Sequence, residues 1–168
     1  REFHADKLNE KWVTDISEFK YGTDEDTRKG KVYLSVILDL CDKRPVAYVY
    51  SDHNDNPLVL TTFNKAIERA PGATPIFHSD RGYQYTSKEF RQKIVNAGMT
   101  QSMSRVAHCI DNGPMESFWG MNYETRDVLW TSVQDERRPY SGNRRIYDLL
   151  HNQMCTEKTE RYDANRIS

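Results

Sequence analysis

Three runs rich in Val, Ile, Tyr and Leu (Trp12 to Phe19, Val32 to Cys41 and Pro45 to Ser51) follow one another, separated only by the turn-like pieces Tyr21-Gly22-Thr23-Asp24 and Asp42-Lys43-Arg44. β-branched and aromatic runs bounded by such turns read as strands, so the chain opens with an antiparallel meander. The pattern then changes period. After Asn56-Pro57, the apolar positions Leu60, Phe63, Ile67 and Ala70 recur at helical spacing until Pro71-Gly72 stops them, which predicts a helix over Leu58 to Ala70. A short strand, Thr74 to His78, leads to Asp80. Ser87 caps a second helix, Lys88 to Ala97, with Phe90, Ile94 and Ala97 on one side and Gly98 at its end. Thr100 to Ser104 is a fifth strand, Arg105 to Gly113 shows no period and reads as a loop, and Pro114 opens a further helix as its first residue. This order implies an α/β fold, a mixed five-stranded sheet with helices packed on it.

Composition narrows the class. With 168 residues, 37% hydrophobic and 29% charged, the chain is large enough for one domain with a real core, and its apolar stretches are too short to span a bilayer. The opening Arg1-Glu2-Phe3-His4-Ala5-Asp6 has neither an initiator Met nor an apolar run, so the expectation is an excised piece of something longer with no secretory signal. Cys41, Cys109 and Cys155 are odd in number and widely spaced, which argues for reduced thiols and a cytoplasmic setting; Cys109 beside His108 reads as loop filler rather than a metal ligand. A net charge of -1 means that any contact with nucleic acid must use a local patch, divalent cations or other domains.

Three acids stand in distinctive surroundings. Asp15 shares one face of the first strand with Val13, Ser17 and Phe19, where a carboxylate is expensive to desolvate unless paired or bound to metal. A hydrogen-bonded buried carboxylate would fit that pattern as well. Asp80 lies just past a strand end, where open sheets collect ligands, although an Asp there also simply opens a turn. Glu116 would be the third residue of its helix, a position that serves the helix N-terminus through the dipole or a capping box. By contrast, Asp39, Asp42, Asp52 and Asp55 read as strand-end and turn acids.

Taken together, Trp-Val-Thr-Asp-Ile around Asp15, His-Ser-Asp-Arg-Gly-x-Gln-Tyr-Thr-Ser from His78 to Ser87, Ser-Met-Ser-Arg from Ser102 to Arg105, and Asp-Asn-Gly-Pro-Met-Glu-Ser-Phe-Trp-Gly from Asp111 to Gly120 closely resemble the integrase-core transposases of the IS-three group of bacterial insertion sequences. Thirty-five residues separate Asp80 from Glu116, the spacing that this group shares with retroviral integrases. The resemblance covers about residues 7 to 120. It implies a ribonuclease H-like fold and a catalytic triad, Asp15, Asp80 and Glu116, that holds two divalent ions, Mg²⁺ with Mn²⁺ as substitute. It further implies cleavage at element ends and transfer of the 3′-hydroxyl to new DNA, by an oligomer assembled on that DNA and without a membrane.

Such chemistry suits the residues. Carboxylates supply the hard oxygens that these ions prefer, and paired cations can activate water and stabilise a leaving oxygen. His78, Arg81, Arg105 and Asn112 are candidate DNA contacts beside the triad; packing for His78, solvation for the arginines and helix-entry capping for Asn112 are the competing roles. The aromatic pair Phe118-Trp119 reads as core. Where the group carries a Lys seven residues past the Glu, this chain has Tyr123, and Arg126 offers a substitute charge. The group's closing pattern is absent from Val128 to Ser168, where Asp135 to Asn143 reads as a loop and Arg144 to Met154 as a last helix. The expected division is a linker from a missing N-terminal region over 1–11, the integrase catalytic core over 12–127 and a divergent helical tail over 128–168. A bacterial, nucleoid-associated enzyme is the expectation. A nuclease of the same fold that hydrolyses without joining, or a DNA-binding and assembly remnant without catalysis, are the alternatives.

Overall fold

The protein is described from a computed structural model, which covers residues 3–21, 30–104 and 115. The meander is formed by β1 (Lys11–Tyr21), β2 (Gly30–Asp39) and β3 (Pro45–Ser51). β1 pairs antiparallel with β2 from Trp12 opposite Asp39 to Tyr21 opposite Gly30, and β2 pairs antiparallel with β3. The chain then crosses to the other side of β1. β4 (Ile76–Ser79) runs parallel to β1, and β5 (Thr100–Met103) runs parallel to β4, giving the strand order β3-β2-β1-β4-β5.

Helices fill the two crossovers. α1 (Asn56–Arg69) connects β3 to β4, starting two residues before the run read from its periodicity. Asp55, read above as a turn acid, is in fact its N-cap: its side chain accepts a hydrogen bond from the Leu58 N–H at 3.1 Å, and Pro57 sits in the first turn, where its missing N–H has no partner to lose. α3 (Lys88–Asn96) is capped by Ser87 as expected, with the Phe90 N–H donating to Ser87 Oγ at 3.2 Å. Between them lies α2 (Tyr83–Thr86), a single turn too short to leave a period in the sequence. It exists because the Gly82 carbonyl accepts from the N–H groups of both Tyr85 and Thr86. β4 begins at Ile76 rather than Thr74, directly after Pro75, which has no N–H to give the ladder.

Side-chain alternation along β1 divides the core in two. Trp12 faces a cluster that takes in Phe63 and Ala66 of α1, Phe77 of β4, Tyr85 of α2 and Phe90 and Ile94 of α3. Four aromatic rings knit it together at centroid distances of 5.4 Å (Phe63 to Phe77), 5.5 Å (Phe63 to Phe90) and 5.5 Å (Tyr85 to Phe90), within the range for favourable edge-on packing. Val13 and Phe19 face the opposite cluster, with Val32, Leu34, Val36 and Leu38 of β2. Ala5, ahead of β1, and Met115, which is helical, are buried in this second cluster. Among the described residues no helix is long and apolar enough to cross a membrane.

Candidate active site

Strand register sets side by side the two strands that lead to Asp15 and Asp80. In the parallel pair, Val13 of β1 lies opposite His78 of β4. Asp15 stands two residues further along β1, and Asp80 two residues past His78, just beyond the carboxyl end of β4. This is also where the sheet changes direction, because β2 and β3 lie to one side of β1 and β4 and β5 to the other. A crevice at such a switch point is where open sheets bind ligands. Asp15 is half-buried in mid-strand and paired with Val36, while Asp80 is the first residue beyond β4.

The turn after β4 aims the Asp80 carboxylate. The Gly82 N–H donates to Asp80 Oδ1 at 2.9 Å, and Ser79 Oγ donates to the Asp80 carbonyl at 2.9 Å. Among the described residues nothing donates to the second carboxylate oxygen. Beneath the two acids lies Tyr85, buried, with its hydroxyl 3.2 Å from Thr14 Oγ1. Since Thr14 Oγ1 gives its proton to the Val36 carbonyl at 2.8 Å, the phenol is the donor of the pair. Burial pushes the Tyr85 phenol far above its ordinary range, and the negative charges of Asp15 and Asp80 add to it. One neutral hydroxyl therefore feels both carboxylates.

His78 is held by its neighbours. Nδ1 lies 3.0 Å from Ser102 Oγ and Nε2 3.3 Å from Ser104 Oγ, and the Phe3 ring meets the imidazole edge-on at 5.6 Å. Arg81 is exposed, and its Nε donates to the Ser104 carbonyl at 2.7 Å. Glu116, Arg105, Asn112 and Arg126 lie outside the described residues, as do the loop over 105–113 and the tail. Met115, bonded to Glu116, is buried in the cluster that Val13 lines, on the face of β1 that carries Asp15. Among the described residues no three His, Cys, Asp or Glu side chains gather into a cation site. The acids present suit a divalent ion: two carboxylates, each two residues past the Val13–His78 pair, one with an oxygen that no described donor occupies.

Sequence reading missed the roles of Gly82, Tyr85 and Thr14. Gly82 and Tyr85 stand in the His78 to Ser87 motif and Thr14 next to Asp15, but nothing in residue type or spacing told that a tyrosine after Asp80 would turn inward to a threonine of the first strand.

Residues 5–109 match the integrase core domain family. An uncharacterised transposase-like protein of Haemophilus influenzae is 40% identical over 153 residues, covering 86% of this chain and 68% of that protein. InsK, assigned as a transposase of the element IS150 in Escherichia coli K12, is 35% identical over 169 residues, covering 100% of this chain and 53% of InsK, so the chain spans about half the length of that relative. Transposases of the IS3 elements are also among its relatives. In fold, the chain is similar to the catalytic core domain of HTLV-2 integrase, solved in complex with magnesium, with a TM-score of 0.59 at 19% identity over 84% of this chain and 82% of that one. The sheet and its helices are thus ribonuclease H-like. The chain belongs to the integrase core domain family, in the company of bacterial insertion-sequence transposases.

Proposed function

We propose that this chain is the catalytic core of a DNA transposase, a polynucleotidyl transferase that cleaves and joins DNA at the ends of an insertion sequence. The observation that carries the reading is the parallel register of β1 and β4, which lead to Asp15 and Asp80 respectively, in a chain of the integrase core family. Asp15, Asp80 and Glu116 are the proposed ligands of two divalent ions, Mg²⁺ with Mn²⁺ as substitute. When bound, such ions activate a water or a 3′-hydroxyl for in-line attack on a phosphodiester and neutralise the charge that develops.

The chain's own groups prepare that chemistry. Asp15 is held by the ladder between β1 and β2, and the Asp80 carboxylate is held by the Gly82 N–H. Tyr85 stays protonated beneath them and offers the acids no competing negative charge. The buried Met115 supports the reading for Glu116, because the residue bonded to Glu116 packs in the cluster that Val13 lines. DNA is the proposed partner, as element end and as target, and the working form is a homo-oligomer assembled on it. His78, Arg81, Arg105, Asn112 and Arg126 remain proposed DNA contacts.

The test uses labelled oligonucleotides that carry an element end, incubated with the chain and millimolar Mn²⁺. Nicked and strand-transfer products are expected, and Asp15→Asn or Asp80→Asn should lower both by about a hundredfold or more, as loss of a metal ligand does. Hydrolysis without joined products points to a nuclease instead. Activity that survives either substitution sinks the proposal.

A further inference from the structure

A groove of about 600 Å³ is lined by residues of α2, α3 and β5. Its floor is apolar, made by Ile94, Met99 and Met103, with the exposed Val95 at its edge. Arg81 and Arg91 both line it, and no Asp or Glu does, although acids outnumber bases in the whole chain, 25 to 24. Neither guanidinium meets a carboxylate among the described residues. Arg81 is fixed by its Nε hydrogen bond to the Ser104 carbonyl, which leaves its two terminal nitrogens to face a ligand. Arg91 lies on α3, one turn past the Ser87 cap. The groove begins at the residue next to Asp80.

We propose that this groove holds the sugar–phosphate backbone of a DNA strand that flanks the phosphate addressed by Asp15 and Asp80, with Arg81 and Arg91 on its phosphates and the apolar floor against its sugars. The inference rests on the transposase reading and adds the path of the DNA. A local excess of two positive charges over an apolar floor matches a polyanion with apolar faces, and guanidinium is the side chain best shaped for phosphate. It also resolves the difficulty raised by the net charge of -1, because the attraction is confined to one channel that leads from the acids.

Arg91 is the discriminating position, since it is exposed, remote from the acids in sequence and outside the proposed chemistry. The 168-residue chain is titrated with a labelled element-end duplex across a range of salt, and nicking in Mn²⁺ is measured at saturating DNA. Arg91→Ala should weaken binding about tenfold at moderate salt and make the slope of log affinity against log salt shallower by about 0.9, the share of one phosphate contact. Arg91→Lys should restore most of the slope, and Arg91→Glu should weaken binding further. The nicking rate at saturation and the melting temperature should stay at the wild-type value in all three. If Arg91→Glu binds with wild-type affinity and slope while wild-type nicking is intact, the groove proposal is overturned and the transposase reading stands. A wild-type chain that neither binds nor nicks DNA overturns both.

Discussion

A methyl group at Gly82 would lie 3.0 Å from Gln84 Oε1 and 3.1 Å from Asp80 Oδ1, closer than carbon atoms in folded proteins ordinarily come to such neighbours. The backbone there (φ -52°, ψ 147°) is one that alanine adopts freely, so the consequence of substitution is local and falls on the carboxylate. Gln84 is held at its other end by Asn54, through its Nε2, and has little room to retreat. Gly82→Ala is therefore expected to leave the melting temperature within a few degrees and to lower Mn²⁺-dependent nicking by about ten- to a hundredfold, the usual penalty for misplacing a reacting group by a fraction of an ångström or more. Steady-state nicking beside a thermal melt checks both halves. At this scale the sequence was partly legible. Asp15 stood out because a carboxylate in an apolar strand needs a reason, whereas Asp80 stood out only through the motif around it, since an Asp past a strand end also opens a turn. Gly82 did not, since its importance depends on where the Asp80 oxygen points, and Tyr85 did not, since a lone aromatic in a short loop carries no sign of inward or outward.

Among the elements, the far end of the β1–β2 hairpin shows how a strand pair manages its charges. Lys20 lies directly opposite Lys31, an arrangement that repels. Glu18 offsets it, with one carboxylate oxygen 3.0 Å from both Lys31 Nζ and Tyr33 OH and the other 3.9 Å from Lys20 Nζ. The Lys31 hydrogen bond, helped by Tyr33 and by both lysine charges, holds the Glu18 carboxyl below its usual range in spite of some desolvation. A carboxyl with a depressed folded pKa contributes stability that is complete above the unfolded pKa and disappears as pH falls through the folded one. Urea denaturation at neutral pH and at pH 3 is therefore expected to show a smaller acid loss in Glu18→Gln than in the parent, with Glu18→Gln the less stable of the two at neutral pH. The order and type of the strands and of the two longer helices could be read from the sequence, because period two and period 3.6 persist over enough residues to be distinguished. Boundaries were less legible: β1 runs on to Tyr21, where a turn was expected, because pairing with Gly30 decides its end, and α1 starts at Asn56 because the Asp55 side chain is free to cap it.

For the whole molecule, the aromatic cluster under the switch point joins α1, α2 and α3 to the sheet. Phe77 is fully buried and touches rings from α1 and α3, so removing it opens a cavity shared by three elements. Phe77→Ala is expected to lower the unfolding free energy by about 3–5 kcal/mol, a large part of the roughly 5–15 kcal/mol that a domain of this kind possesses. Guanidinium denaturation followed by tryptophan fluorescence measures it, and Trp12, buried in the same cluster, is one of the three tryptophans that contribute to the signal. The two acids differ in how the architecture restrains them. Asp15 sits in the middle of a long strand whose every residue from Trp12 to Tyr21 is matched by a partner in β2, whereas Asp80 hangs from the end of a strand of four residues and is steered by a single glycine amide. One is an anvil and the other an adjustable jaw. Backbone amide exchange should accordingly be slower at Asp15 than at Asp80 and Gly82, and any change in spacing that bond breaking and bond making demand of the pair has to be supplied by the short turn after β4, with β1 standing still.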